Sequence, residues 1–159
     1  MPTAAAEARP AGTVVVRRAR PDDAEALARL AAALDYAGSA EDMRLRLQTA
    51  EGAVFVVVDG GRAAVCGFAH VQRHAGLLAP PCARLLALVV DESARSHGIG
   101  ASLLAAVERW ALDAGLHDLR VDSNVVRERA HRFYQRHGYS EYKRQCVFMR
   151  ALDAEISPG

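Results

Sequence analysis

Residues 95 to 100 read Arg-Ser-His-Gly-Ile-Gly, a planar cation followed by two glycines separated by a single residue. They follow the apolar run Leu85–Val90. They lead into a segment where Ile99, Leu103, Val107, Trp110 and Ala114 recur at helical spacing. At a helix start the first backbone N–H groups lack intrahelical partners, and the dipole carries partial positive charge. Glycine removes the Cβ that would hold a phosphate away from those amides. Arginine suits phosphate oxygens because its planar fork donates two parallel hydrogen bonds. The spacing therefore predicts a pyrophosphate cradle at a strand-to-helix junction. A plain glycine-containing turn with an exposed Arg95 is the alternative reading of the same residues.

Other phosphate loops fit less well. A P-loop requires GxxxxGK[ST], and no Lys-Ser or Lys-Thr pair follows these glycines. A dinucleotide-binding turn requires a third glycine where Leu103 stands, and it tolerates no loop as long as Asp91–His97. Asp122 does lie about 20 residues beyond, where that fold places an acid for a ribose. The dinucleotide reading therefore stays open at this point.

The elements needed to hold such a loop can be read along the chain. Thr13–Ala19 is β-branched and predicts a first strand. Pro21 with Asp22 and Asp23 marks a helix start running to about Leu34, and a second helix covers Ala40–Thr49. Asp59-Gly60-Gly61 between apolar runs signals a hairpin joining Ala53–Val58 to Arg62–His74. Cys82–Val90 is a third long strand, Gly98–Ala114 the longest helix, Leu116–Ser123 another strand and Arg127–His137 a last helix. Cys146–Leu152 is expected to close the sheet. The unit Leu85–Val90, helix, Leu116–Ser123 is one right-handed crossover between parallel strands. The expected fold class is thus α/β, a single domain with a mixed sheet.

Composition narrows the function classes. The 159 residues are enough for one core. A formal net charge of +1 supplies no field for nucleic acid or a membrane surface, so neither is expected as a partner. No apolar run approaches the roughly 20 residues of a bilayer span. Residues 1–12 resemble a disordered leader more than a signal peptide, residues 13–152 form the folded domain, and 153–159 form a flexible tail. Cys66, Cys82 and Cys146 are odd in number and form no CxxC pair, which points to reduced thiols in the cytoplasm. A reactive thiol is the minor alternative, and no metal is implied.

The stretch Arg95–Ala101 resembles the Q/R-x-x-G-x-G/A pyrophosphate loop of the GNAT superfamily of acyl-CoA-dependent N-acyltransferases. Downstream, Ser123–Tyr139 is similar to that superfamily's second signature, a helix carrying Ala130 and Tyr134 ahead of Gly138 and Tyr139. The element order agrees over about Val14–Leu152. The resemblance implies a predominantly antiparallel mixed sheet with a central parallel, splayed strand pair, flanked by about four helices. It implies acetyl-CoA as the acyl-donor co-substrate, direct transfer to a primary amine of a small molecule or peptide, and room for a homodimer.

By the same resemblance the pantetheine arm lies along Leu88, Val89 and Val90, with the Val89 N–H expected to polarise the thioester carbonyl. A β-bulge would free such amides from the ladder. Removing one donor of this kind typically slows reaction about 10²–10³-fold. Arg95, Ser96, His97, Gly98, Ile99, Gly100 and Ala101 would bind the diphosphate, with Asn124 and Arg127 as further cofactor contacts. Tyr134 would protonate the departing thiolate, or else pack its helix onto the sheet beside Phe133. Relatives often place an acid on the central strand to help deprotonate the amine, but this chain has Arg84 and no carboxylate there. The general base is left unassigned; His70 and His74, on one face of the preceding strand with Phe68 and Gln72, are candidates against a structural reading. The missing carboxylate also keeps open a CoA-binding regulatory module without turnover. Asp35, Glu41 and Asp42 are candidates to attract a cationic amine, with Arg44 and Arg46 opposing them.

Overall fold

The computed structural model describes residues 14–152 apart from Arg62 and Ser96. The expected leader and tail therefore lie outside the described residues. The chain divides into two compact units, up to Asp122 and from Ser123 onward.

The first unit carries the sheet. Its elements are β1 (Val14–Arg18), α1 (Ala24–Ala32), α2 (Ala40–Thr49), β2 (Ala53–Asp59), β3 (Ala64–His74), β4 (Cys82–Val90), α3 (Ile99–Asp113) and β5 (Leu119–Val121). The sheet order is β1-β2-β3-β4-β5, antiparallel throughout except for the parallel pair β4–β5. Three antiparallel pairings out of four exclude the all-parallel sheet that the dinucleotide reading requires.

Alternation along β3 sends neighbouring residues to opposite faces. Phe68 joins Leu27 and Leu30 of α1 with Val56, Val65 and Val89 in one buried cluster, edged by Met43 and Leu47 of α2. Gly67 faces the other way, where a Cβ would lie 3.3 Å from both Ile99 Cγ2 and Leu103 Cδ1 of α3. Helices α1 and α3 thus cover opposite faces, and the buried stripe of α3 is Ile99, Leu103, Leu104, Val107 and Ala111. Each of the two faces has its own apolar cover, the arrangement that long, nearly all-apolar strands such as β2 and β4 need.

Two irregularities in β4 matter for the site. Ala87 pairs with His70 and Leu85 with Val71, so Leu86 is an extra residue in β4, a β-bulge. Pairing with β5 covers only Ala83, Arg84 and Leu85. From Leu86 to Val90 the strand continues beside β3 with no ladder to β5.

The second unit contains α4 (Glu128–Arg136), entered through a turn at Asn124–Arg127. The expected strand over Cys146–Leu152 is not formed: residues 140–152 carry no helix or strand, and Val147, Phe148 and Met149 are exposed. An apolar run such as Val147–Met149 becomes a strand only where a neighbour pairs with it, and among the described residues no ladder includes it. Without that strand β5 is the outer member of the described sheet, so the parallel pair lies at its side instead of its centre.

Candidate active site

The loop joining β4 to α3 begins at Asp91. Its amide donates to the Cys66 carbonyl at 2.8 Å, continuing the β3–β4 ladder. One carboxylate oxygen accepts from the Ser93 N–H (3.0 Å) and hydroxyl (2.8 Å), folding Glu92–Ala94 into a short 3₁₀ turn. The other accepts from Arg29 Nη1 at 2.7 Å. The guanidinium of Arg29, with the two Ser93 donors, holds the Asp91 carboxyl down at about 2.

Arg95 leaves this turn with its guanidinium directed back at the strand. Nε donates to the Val90 carbonyl at 3.3 Å and Nη1 to Glu92 Oε1 at 2.8 Å. His97 Nδ1 lies 2.9 Å from the Arg95 carbonyl. Ser96 is outside the described residues.

Gly98 has φ +75°, a left-handed conformation that favours glycine, and a Cβ there would meet nothing within 4 Å. Its carbonyl accepts the first helical bond, from Ser102 N–H at 3.0 Å. The amides of Ile99, Gly100 and Ala101 are therefore the orphan donors of a 15-residue helix. Among the described residues no side chain caps them, and no acid stands in the first turn. By contrast, the much more polar α2 is closed by reciprocal bonds between Ser39 and Asp42. An uncapped start with an αL glycine, open space and an adjacent arginine has the donor set a diphosphate requires.

The orientation of the β4 amides follows from the ladder. Asp91 N–H points to β3, so period-two alternation turns Val89 to β3 as well, and Leu88 and Val90 away from it. The Val90 carbonyl, taken by Arg95, fits that phase. Ala83 N–H, before the bulge, donates to Asp118 on the β5 side. By this phase the Val89 N–H faces β3 and the Leu88 N–H faces away from it. The extra residue Leu86 reverses the phase. Counting by twos from Ala83 without it gives Val89 instead.

Asp122 is a residue that sequence reasoning considered only as a ribose ligand. It directly follows β5 where the two parallel strands stop pairing, and its Oδ2 accepts from Arg84 Nε at 2.9 Å and from Arg84 Nη2. Arg84, which stands where a carboxylate was sought, thus fixes a carboxylate supplied by the neighbouring strand. The signal available in sequence was the position of Asp122 at the end of the second parallel strand.

The candidate histidines differ. His70 Nε2 is bonded to the Glu51 carbonyl at 2.9 Å, which ties it to the chain entering β2; His74 is exposed. Glu41 pairs with Arg44 and Asp42 with Ser39, leaving Asp35 as the acid of that group without such a bond. Cys66 is half-buried with its Sγ 3.5 Å from the Val57 carbonyl, and burial pushes its thiol up, against a reactive role.

In the second unit Asn124 Oδ1 accepts from Val126 N–H at 3.2 Å, and its carbonyl from Arg127 N–H at 2.9 Å and from the ring of His131. Asn124 therefore shapes the entry to α4, where Arg127 is the exposed cap. Tyr134 packs edge-on against Phe133 and Tyr139, with ring centroids 5.3 and 5.7 Å apart. Burial pushes its phenol up to about 12, against a smaller opposing pull from the charge of Arg127. The group is a hydroxyl donor at any physiological pH.

Comparison with known proteins bears on this arrangement. Residues 9–139 match the model of the acetyltransferase (GNAT) family. The chain is 35% identical over 149 residues to aminoglycoside N(6')-acetyltransferase type 1 of Stenotrophomonas maltophilia, covering 90% of this chain and 97% of that protein. Among solved structures, aminoglycoside N-acetyltransferase AAC(6')-Iy in complex with CoA superposes with a TM-score of 0.78 at 19% identity, over 91% of this chain and 99% of that one. Glucosamine-6-phosphate N-acetyltransferase from Arabidopsis thaliana gives 0.75 at 17% identity, over 86% and 98%. At these identities the two structures speak for the fold.

Proposed function

The chain belongs to the acetyltransferase (GNAT) family and transfers an acetyl group from acetyl-CoA to an amine; we propose that its acceptor is a primary amine of an aminoglycoside-like, polycationic small molecule. The observation that carries this acceptor class is the identity to the Stenotrophomonas enzyme, sustained over nearly the whole of both chains.

The roles that the family resemblance implies agree with what each group can donate or hold. The amides of Ile99, Gly100 and Ala101, with Gly98 giving access and with Arg95, Ser96 and His97 as the preceding residues of the motif, bind the diphosphate of acetyl-CoA. Leu88, Val89 and Val90 form the strand along which the pantetheine arm lies, and the Leu88 N–H, turned away from β3, polarises the thioester carbonyl. Arg127 lends positive charge, and Asn124 sets the turn that presents it. Asp122, held in place by Arg84, draws the ammonium of the acceptor, which gives one proton to solvent before its nitrogen attacks. As the new C–N bond forms, the C–S bond breaks, the nitrogen sheds its remaining excess proton to solvent, and the Tyr134 hydroxyl gives its proton to the leaving thiolate and is reprotonated from solvent. A phenol held near 12 stays protonated until that thiolate develops beside it.

The test is thiol release from acetyl-CoA across a panel of amines containing aminoglycosides, polyamines, amino acids and peptides. Turnover is expected with aminoglycosides and to fall about 10²-fold in kcat in Tyr134→Phe, the usual scale for losing a general acid. Turnover confined to peptides or amino acids overturns the acceptor class. An unchanged kcat in Tyr134→Phe overturns the role of the phenol.

A further inference from the structure

Arg29 bridges three segments: α1, β3 and the loop that follows β4. It projects from α1, donates through Nη1 to Asp91 Oδ2 at 2.7 Å, and through Nη2 to the Val65 carbonyl of β3 at 3.1 Å. Asp91 is the hub on the other side. Its two carboxylate oxygens take Arg29 and Ser93, its amide holds Cys66, and its carbonyl accepts from Ala94 N–H at 3.0 Å. Four residues further on stands Arg95. The path of the loop from the last residue of β4 to the first amides of α3 therefore hangs on one carboxylate, and a single guanidinium fastens that carboxylate to a helix.

An open pocket of about 370 Å³ lined by Arg29, Leu30, Ala33, Asp91 and Glu92 lies beside this contact. The Arg29 bonds span its mouth, and arginine is the side chain whose planar fork grips a carboxylate and a carbonyl together. A loop that must present amides to a ligand gains affinity by being held in the bound geometry beforehand, because less ordering remains to be done on binding.

We propose that Arg29 and Asp91 are positioning residues for acetyl-CoA: without touching it, they fix the loop that presents Arg95 and the amides of α3 to its diphosphate. The inference rests on the reading of residues 95–101 as the diphosphate cradle. It also makes α1 an anchor of the donor site, a role distinct from its apolar cover of the sheet.

The test uses the full chain carrying Arg29→Ala, Arg29→Lys, Asp91→Asn, Asp91→Ala or Arg29→Ala with Asp91→Asn. Gly100→Trp serves as a variant that blocks the cradle itself. Acetyl-CoA affinity is measured by titration calorimetry, KM and kcat with one amine, and folding by circular dichroism. Arg29→Ala and Asp91→Ala are expected to weaken acetyl-CoA about two- to fivefold in both Kd and KM, the scale of losing a half-exposed ion pair, with kcat nearly unchanged. Arg29→Lys lies between, since an ammonium keeps Asp91 but cannot also span to Val65. Asp91→Asn keeps the turn to Ser93 and matches Arg29→Ala, and the double variant is no weaker than either, the mark of a shared interaction. Unchanged affinity in the Arg29 and Asp91 variants, with binding abolished in Gly100→Trp, overturns the positioning role and leaves the cradle standing. Unchanged affinity in Gly100→Trp as well overturns the cradle and the inference with it.

Discussion

Asp23 shows what a single carboxylate does in this fold. It is nine-tenths buried, and it accepts from both terminal nitrogens of Arg17 at 2.7 and 2.8 Å and from the Arg20 N–H at 2.7 Å. The Arg17 guanidinium holds its carboxyl below the usual range. A depressed folded value means the pair stabilises the native state above the ordinary carboxylate range of about 4, and that contribution is lost as pH falls through the folded value. Asp23→Asn is expected to lose about 2–3 kcal/mol at pH 7, with the gap from wild type closing below about pH 4, as urea melts across pH would show. In the sequence Asp23 is legible as a helix-start acid. Its burial is not, because the partner that makes burial tolerable comes from β1. The Leu88 amide was hidden for a related reason: a bulge of one residue leaves no mark in an unbroken apolar run, yet it reverses which amides face outward.

The elements themselves were largely legible. Residue types place β4 and α2 at their observed limits, and the other elements of the first unit to within a few residues, because apolar periodicity and turn residues agree there. The failure at Cys146–Leu152 came where, among the described residues, no ladder takes up the apolar run. What periodicity cannot supply is how closely two elements approach. Gly67 illustrates it: a Cβ there would lie 2.9 Å from the Val89 carbonyl, as well as against Ile99 and Leu103. Gly67→Ala should thus push α3 off the sheet, with a loss of about 2 kcal/mol, within the usual range for overpacking. Because Ile99 opens α3 at the loop, acetyl-CoA affinity should fall too; urea denaturation and calorimetry on the same variant check both. Normal stability in Gly67→Ala would mean that α3 has slack the packing does not reveal.

At the scale of the whole molecule, charge is nearly balanced and no described helix is long and apolar enough to cross a membrane. The specific ligand must therefore be recognised by local groups, and its binding should be visible as global stability. Acetyl-CoA at about 100 times its Kd is expected to stabilise the native state by about 2.7 kcal/mol, raising the melting temperature by roughly 5–10 °C for a chain of this size. NAD at the same concentration should leave it unchanged; scanning calorimetry distinguishes the two, and a shift with NAD but none with acetyl-CoA would overturn the cradle. The brief contact of β4 with β5 has a further consequence for handling the protein. Between Leu86 and Val90 the main chain has no ladder to β5, and unpaired strand edges of this kind pair readily with extended peptides in a concentrated sample. On the proposed reading, in which the pantetheine arm lies along this edge, CoA present during purification should keep it covered and suppress precipitation.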